Sequence, residues 1–396
     1  MEKYVYVDGK KYKRGYTTGS CAAAATKAAL TMMITGVKID NVEISTPKGI
    51  NLSIDIFNQK IGKESAQCCV RKDAGDDIDA TNNMEIYSKV EIINTEDIPT
   101  ICAVKILDYL EISSGFGIGI VTKKGLSTEV GRPAINPVPL KMISKEVQNI
   151  IEENCIDIKK WLENKKILVT ISAPMGEKIA LDTFNSNLGI VGGISIIGTS
   201  GIVEPMSEEG WKKALSAELS IKKEEGLKEI VLVPGNIGYE KMTKDYGQDP
   251  QNIVKMSNFV GYMLMECKRL GFKKITIAGH IGKLIKLSAG ITNTHSRVAD
   301  ARKEIMIANL ALMGAGVELL KEVENCLTTD AMIKIIKENN MEEVFHALSQ
   351  KASDRAWNYL REGKENIKLE VFMFSMDGEL LGIGKTNFDI LINQNK

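Results

Sequence analysis

Two short apolar runs in the second half of the chain each end at a glycine. Residues 228–236 read KEIVLVPGN and residues 273–280 read KKITIAGH, and the segment 251–272 between them predicts a helix that stops at a glycine. Runs this short and rich in Ile and Val predict buried strands. A strand, a helix and a second strand form a βαβ unit, which implies a parallel sheet with ligand-binding loops at the carboxyl ends of its strands.

The rest of the chain predicts an α/β protein of two domains, residues 1–200 and 201–396. The Ala-rich run at 21–34 predicts a helix, because Ala has the best helix propensity and Thr18 or Ser20 can cap its start. Further strands are predicted at 41–47, 51–57, 84–93 and 165–174, helices at 144–155, 298–315, 329–339 and 342–362, and a closing hairpin at 368–384. The first domain is therefore α+β with Gly-rich loops, and the second has a parallel sheet and a helical C-terminal part.

The charge balance excludes some classes of partner. Fifty-one basic and 51 acidic side chains give a net charge of zero, whereas a nucleic-acid-binding protein needs a basic face. The zero conceals an acidic segment at 73–97 and a basic one at 272–302. Seven Cys without C-x-x-C spacing predict reduced thiols, and no apolar run suits a signal peptide or a membrane span. We expect a cytoplasmic protein that binds neither membrane nor nucleic acid.

Hydroxyl and thiol side chains cluster where the first helix begins. The helix N-terminus carries three hydroxyl side chains just before Cys21, those of Thr17, Thr18 and Ser20. Free backbone N–H groups at such a terminus attract anions. One interpretation is an anion site, and another is a thiolate nucleophile at Cys21, since a helix N-terminus lowers a thiol pKa. The alternative is a capped helix with a buried Cys.

An acidic turn follows at residues 72–80. Asp73, Asp76, Asp77 and Asp79 surround one glycine, and such carboxylates can act as a base, hold a cation or bind ribose hydroxyls. The alternative is a solvated acidic turn without a ligand.

Glycines concentrate in two later segments. The run at 115–119 has G-x-G-x-G spacing but continues as a strand, so it fails the context that a dinucleotide fingerprint requires. The segment 132–139 has three prolines and predicts a rigid loop. The segment 183–205 contains five glycines with Thr199, and it predicts either a pocket for a planar ligand or adenosine, or tight structural turns.

Two of the three histidines lie in one basic segment. His280 ends a predicted strand and His295 follows it in a loop with Lys283, Lys286, Arg297 and Arg302. Lys and Arg donate charge-assisted hydrogen bonds to carboxylates, so this loop suits a ligand with several carboxylates. Protein-bound zinc is not predicted, because the two His are 15 residues apart and no Cys is near. The alternative is a core His beside surface lysines.

Taken together, these segments resemble the CbiD family of anaerobic cobalamin biosynthesis, the cobalt-precorrin-5B carbon-1 methyltransferases. The blocks that carry the resemblance lie in the same order at 15–29, 72–79, 131–139, 183–207, 233–236, 257–261, 279–287 and 293–297. One departure is Leu140, where the family pattern leads us to expect an arginine.

The resemblance implies transfer of a methyl group from S-adenosyl-L-methionine to carbon 1 of cobalt-precorrin-5B, giving cobalt-precorrin-6A. The cobalt is carried by this substrate and not by the protein. The resemblance also implies an N-terminal part similar to the second domain of ribosomal protein S5 and a Rossmann-like C-terminal part. The usual glycine motif of methyltransferases (strand, acidic residue, G-x-G, helix) is absent from this sequence.

We combine the resemblance with the residue patterns into a set of expected site residues. Substrate carboxylates are expected at Thr17, Thr18, His280, Lys283 and Arg297, the cofactor at Gly189, Gly192, Gly193, Thr199 and Gly201, and catalytic roles at Asp76, Asp77 and His295. Two other functions stay open: a Cys21-dependent acyl-transfer enzyme acting on an anionic small molecule, and a non-catalytic corrinoid carrier. The sequence makes no prediction about oligomeric state.

Overall fold

The computed structural model describes residues 4–7, 9–97, 103–163 and 165–386. It divides into two compact units, Met1–Glu208 and Glu209–Lys396, and each is described by itself. Within the described ranges, no helix has the length and apolar character needed to cross a membrane.

The first unit is rich in short strands. Its strands are β1 (Tyr4–Val7), β2 (Lys10–Lys13), β3 (Gly15–Tyr16), β4 (Asn41–Ser45), β5 (Asn51–Asp55), β6 (Phe57–Ile61), β7 (Ser65–Arg71), β8 (Glu85–Ile93), β9 (Ala103–Leu107), β10 (Leu110–Ser114), β11 (Ile120–Val121), β12 (Lys166–Ser172), β13 (Ile190–Val191) and β14 (Ile202–Val203). Its helices are α1 (Thr18–Thr35), α2 (Pro137–Glu153), α3 (Ile158–Leu162) and α4 (Gly176–Ala180).

A six-stranded sheet organises this unit. Its order is β6-β7-β8-β12-β10-β9, with one parallel pair, β10 and β12, among antiparallel neighbours. Helix α1 packs on one face, where Cys68 Sγ donates to the carbonyl O of Ala25 and Thr26 Oγ1 lies 2.9 Å from Ser88 Oγ. The predicted Ala-rich helix is therefore confirmed, and its small side chains let its backbone approach the sheet closely.

The proline-rich segment 132–139 differs from its prediction as a loop. Pro137 opens α2, and Asn136 occupies the position before the helix. A proline fits the first turn because its missing N–H has no partner there in any helix.

The second unit alternates strands and helices. Its helices are α5 (Glu208–Glu224), which begins at the last residue of the first unit, α6 (Asn236–Lys244), α7 (Val260–Arg269), α8 (Ile281–Ser288), α9 (Arg302–Leu312), α10 (Val317–Asn325), α11 (Thr329–Glu338) and α12 (Glu343–Tyr359). Its strands are β15 (Glu229–Val233), β16 (Ile253–Lys255), β17 (Lys274–His280), β18 (Lys368–Phe374) and β19 (Leu380–Lys385).

The five strands form one sheet in the order β16-β15-β17-β18-β19. The first four are parallel, and β19 closes the edge antiparallel to β18. The predicted mixed α/β class, with a parallel sheet in the second half and a closing hairpin, is confirmed. The likeness of the first half to ribosomal protein S5 stays a prediction.

Two helix predictions in this unit were wrong in their bounds. The segment 251–272 was predicted as one helix, but it forms β16 and then α7, separated by a bend in which Ser257 has a φ of 53°. The β-branched Ile253 and Val254 pair with β15 at the sheet edge, and this pairing overrides local helix propensity. The segment 281–288 was predicted as part of a loop and is α8, whereas 298–301, predicted as helix, precedes α9.

Candidate functional site

A cleft of about 680 Å³ lies at the carboxyl ends of β17 and β18 in the second unit. Open parallel sheets bind ligands at this end, because the strand-to-helix loops gather there. The residues that line the cleft are Asn258, His280, Gly282, Lys283, Lys286, Thr294, His295, Ser296, Arg302, Thr328, Thr329, Asp330 and Met376. The cleft therefore brings together three of the predicted site residues: His280, Lys283 and His295.

His280 connects the end of β17 to the start of α11. Its Nδ1 accepts a hydrogen bond from the N–H of Gly282 at 3.2 Å, so the proton of the neutral ring lies on Nε2. Nε2 is 3.0 Å from Asp330 Oδ2 and donates to it. Asp330 Oδ1 in turn accepts from the N–H of Met376 at 2.8 Å. These hydrogen bonds join the end of β17, the start of α11 and the turn after β18 in one wall of the cleft.

Two lysines on α8 supply positive charge. Lys286 is only 3% exposed, and its Nζ donates to the carbonyl O of Thr294 at 3.1 Å. Lys283 Nζ donates to the carbonyl O of Pro234 at 3.2 Å. Burial lowers the pKa of both lysines, and the neighbouring Lys286 ammonium lowers that of Lys283 further. For Lys286 the carboxylate of Asp300 offsets part of this effect. A ligand carboxylate would offset that cost, since each ammonium has three N–H donors.

The loop after α8 adds further donors. His295 Nδ1 accepts from the N–H of Arg297 at 3.1 Å, which assigns the proton of the neutral ring to Nε2. Arg297 is exposed, and its side chain is not part of the cleft lining. Arg302 lines the cleft and pairs with Asp300 through Nε at 2.6 Å and Nη2 at 2.9 Å. That bidentate pair lowers the pKa of Asp300. The cleft thus presents N–H donors, as a polycarboxylate ligand requires.

The start of α1 in the first unit has its own partners. Thr18 Oγ1 accepts from the N–H of Ile197 at 2.8 Å, and the N–H of Gly19 donates to the carbonyl O of Ile197. Thr17 Oγ1 accepts from the N–H of Ser20 at 3.2 Å. Both threonines are buried, so the segment around Ile197 occupies the place in which we expected an anion.

Cys21 is fully buried at the same helix start. Burial raises the pKa of its thiol to about 12. The sequence hypothesis of a lowered thiol pKa was therefore wrong, because desolvation outweighs the favourable helix end. A thiolate nucleophile at this position is not supported.

The acidic turn is bound to neighbouring segments. Asp76 Oδ2 accepts from the N–H of Lys13 at 2.6 Å, and Asp77 Oδ1 accepts from the N–H of Met206 at 3.0 Å. Asp79 pairs with Lys72 Nζ at 2.5 Å, and Lys72 is 2% exposed. These contacts join three distant parts of the first unit, and catalytic roles for Asp76 and Asp77 stay a prediction.

The predicted cofactor glycines lie where backbones cross. A Cβ on Gly193 would lie 2.2 Å from the carbonyl O of Gly117, and Gly117 itself has a φ of 77°. Added Cβ atoms on Gly189 and Gly201 would collide with Lys123 and Thr46 respectively. Close packing therefore favours glycine at these positions, and Gly189 and Gly201 also have a positive φ. A cofactor role for them stays a prediction.

The two remaining cofactor candidates in this segment are Gly192 and Thr199. A Cβ on Gly192 would meet nothing within 4 Å, so this glycine borders open space. Thr199 lies seven residues further along the chain and is exposed. A cofactor role for these residues stays a prediction.

Comparison with known families decides the affiliation. A family model described as CbiD matches residues 5–205, and one described as the CbiD C-terminal domain matches residues 293–385. The chain belongs to the CbiD family. The affiliation predicted from the sequence blocks is confirmed. Leu140, the departure from the family pattern, packs against the core of the first unit from the first turn of α2.

Named relatives match nearly the whole chain. The cobalt-precorrin-5B C(1)-methyltransferase of Clostridioides difficile (strain 630) is 50% identical, with 99% of each chain covered. The proteins of the same name from Listeria welshimeri and Thermoanaerobacter sp. (strain X514) are each 46% identical, covering 99% and 95% of this chain and 99% and 96% of their own. A crystal structure of the cobalamin biosynthesis protein CbiD from Archaeoglobus fulgidus is 25% identical over 76% of this chain and 88% of its own, with a TM-score of 0.38.

Sequence reasoning missed several residues of the cleft. Asp330 and Met376 lie 50 and 96 residues after His280, and Asn258 precedes it. The run Thr328-Thr329-Asp330 at the start of the predicted helix 329–339 is a capping pattern, which was the one available signal. Nothing in the local sequence says that this helix start faces His280.

Proposed function

We propose that the chain transfers a methyl group from S-adenosyl-L-methionine to carbon 1 of cobalt-precorrin-5B and releases cobalt-precorrin-6A. The names of its full-length relatives support this activity. The observation that carries the proposal in the structure is the basic cleft of the second unit, where Lys283, Lys286 and Arg302 converge with two histidines.

The cleft holds carboxylates of the macrocycle. Lys286 is a buried residue of α8, and it supplies the strongest contact to a substrate carboxylate, because a desolvated ammonium gains most from an anionic partner. His295 carries a proton on Nε2 when neutral, so it serves as a hydrogen-bond donor, and Arg297 acts through its backbone N–H, which fixes the ring of His295. His280 uses its Nε2–H on Asp330 and thereby holds the wall of the cleft. In this arrangement His295 orients the substrate, and His280 positions the wall of the cleft.

The donor supplies an electrophilic methyl group on a sulfonium. The chain contributes by holding ring carbon and methyl at a near-attack separation of ~3–3.5 Å, which accounts for much of the rate in such displacements. The open space beside Gly192 supports a place for the donor near the glycine segment. In the proposed reaction Asp76 or Asp77 accepts a proton, and Asp77→Asn tests this role for Asp77.

The test is anaerobic incubation of the chain with cobalt-precorrin-5B and S-adenosyl-L-methionine labelled in its methyl group, followed by mass analysis. We expect one labelled methyl per macrocycle in the wild type and a reduced yield in Lys286→Met at low substrate concentration. Absence of methylation with intact macrocycle binding would instead support the corrinoid-carrier function. The Cys21-dependent acyl-transfer function is disfavoured, because that thiol is buried and its pKa is raised to about 12.

A further inference from the structure

A second cleft, of about 560 Å³, lies in the first unit. It is lined by Asn58, Gln59, Lys60, Gln67, Tyr87, Ser172 and Pro174. Successive side chains of a strand point to opposite faces of a sheet. Cys68 and Ser88 face α1, so their neighbours Gln67 and Tyr87 lie on the opposite face. The cleft is therefore on the side of the sheet that α1 does not cover.

Strand pairing explains why these residues meet. Tyr87 of β8 pairs with Ser172 at the end of β12, and Gln67 of β7 pairs with Lys60 of β6. The pairing of β6 with β7 is irregular between Phe57 and Lys60, and Asn58 within this bulge has a φ of 53°. Bulges redirect side chains and are common beside binding sites.

The lining residues fall into two groups according to the hydrogen bonds that their side chains make. Tyr87 Oη accepts from Asn58 Nδ2 at 2.7 Å and donates to Glu85 Oε2 at 2.9 Å, so the phenol is fully engaged. Burial and that bond to Glu85 raise the pKa of Tyr87 to about 12, which keeps it neutral. By contrast, the side chains of Lys60, Gln67 and Ser172 make no hydrogen bond to any residue that the structure describes.

Two exposed apolar residues, Phe116 and Met175, are linked through the backbone to the lining residues Ser172 and Pro174. Ala173 lies between Ser172 and Pro174, and its N–H donates to the carbonyl O of Phe116 at 2.9 Å. Phe116 is 63% exposed and Met175 is 51% exposed. Gly117 follows Phe116 in the chain and its backbone crosses Gly193, so this one predicted cofactor glycine is linked to the same segment.

We propose that this cleft binds the nucleoside end of the methyl donor, an inference that rests on the proposed function. A carboxamide such as Gln67 pairs with the edge of adenine, Ser172 is suited to a ribose hydroxyl, and an exposed aromatic ring stacks on a base. Lys60 donates to the carboxylate of the amino-acid end. The cationic sulfonium is disfavoured in the second-unit cleft, which is lined by Lys283, Lys286 and Arg302.

The experiment is calorimetric titration of the full chain with S-adenosylhomocysteine and, separately, with adenosine. Gln67→Leu should weaken both ligands by roughly three- to tenfold, because a neutral hydrogen bond is lost. Lys60→Met should weaken S-adenosylhomocysteine by roughly tenfold and leave adenosine unchanged, because adenosine has no carboxylate. Gln248→Leu and Lys63→Met are matched controls outside the cleft, and neither should change the affinity.

The outcomes separate this inference from the proposed function. Tight binding of S-adenosylhomocysteine that no variant alters would overturn the assignment of the cleft and leave the methyltransferase function standing. Failure of the wild type to bind S-adenosylhomocysteine would remove the proposed donor and the inference together. Thermal unfolding checks each variant, and Gln67→Glu replaces Gln67→Leu if the latter lowers Tm.

Discussion

Replacing Asp330 with Asn should disturb the second-unit cleft through a donor–donor conflict. In the wild type, Gly282 N–H donates to His280 Nδ1, and His280 Nε2–H donates to Asp330 Oδ2. An Asn at this position keeps one acceptor, which the N–H of Met376 occupies. The side-chain NH2 of the introduced Asn then faces the Nε2–H of His280, so two donors meet. In the other His280 tautomer, Nδ1–H would face the N–H of Gly282, which is again a pair of donors.

The size of the effect follows from this geometry. One donor in a partly buried site is left without an acceptor, which costs about 1–3 kcal/mol. The side chain of Asp330 is 33% exposed, and water relieves part of that cost, so we expect about 1–2 kcal/mol in the free energy of unfolding. If the wall of the cleft moves, KM for the macrocycle rises by roughly tenfold for each 1.4 kcal/mol lost from binding.

Denaturant unfolding measures the loss of unfolding free energy, and steady-state kinetics measures the rise in KM for the macrocycle. Nitrogen NMR of His280 reports its tautomer. Asp354→Asn is the matched control, because Asp354 is exposed and accepts from Gln350 Nε2 on α12, outside the cleft. If Asp330→Asn matches this control in stability and leaves the His280 tautomer unchanged, the network does not hold the wall as we argue.

Three further predictions test other parts of the molecule. Lys286→Met should raise KM for the macrocycle by roughly tenfold or more with little change in kcat, since a charge-assisted contact is lost; Lys303→Met on α9 is the control, and equal kinetics would remove Lys286 from the site. Asp79→Ala should lower the free energy of unfolding by about 3 kcal/mol, because buried Lys72 loses its partner. Burial alone would raise the pKa of Asp79, but the Lys72 ammonium holds it below its ordinary value. The stabilisation by the Asp79–Lys72 pair is therefore fully present above the ordinary pKa of Asp and is lost as pH falls through the depressed pKa. A difference in unfolding free energy between wild type and Asp79→Ala that stays constant into acid would contradict this. Native Cys21 should resist alkylation at neutral pH while exposed Cys155 reacts, as peptide mass mapping would show; rapid labelling of Cys21 would contradict its burial.

Much of the candidate site was predictable because its residues are close in sequence. His280, Lys283 and His295 lie within one strand, helix and loop, so their shared location follows from chain connectivity. Asp330 could not be placed there from sequence, because the approach of α11 to β17 depends on the packing of the whole second unit.

The glycines show a second reason why sequence alone cannot assign a site. Gly193 and Gly192 look alike in sequence, since both suit a close approach to the backbone. The structure shows that Gly193 is crossed by the backbone of Gly117, whereas Gly192 faces open space. Absence of a Cβ serves packing and ligand binding equally well, so sequence cannot separate the two uses.

The sequence by itself determined the α/β class, the parallel sheet, the early Ala-rich helix and the family, because periodicity, propensity and ordered motif blocks are local properties of the chain. Tertiary structure alone decided which polar groups were already satisfied. It buried Cys21 and raised its pKa, bound Asp76 and Asp77 to backbone amides, and left Gln67 and Lys60 uncommitted among the residues it describes. Desolvation and hydrogen-bond partnership depend on what the rest of the fold brings near, and no local pattern contains that information.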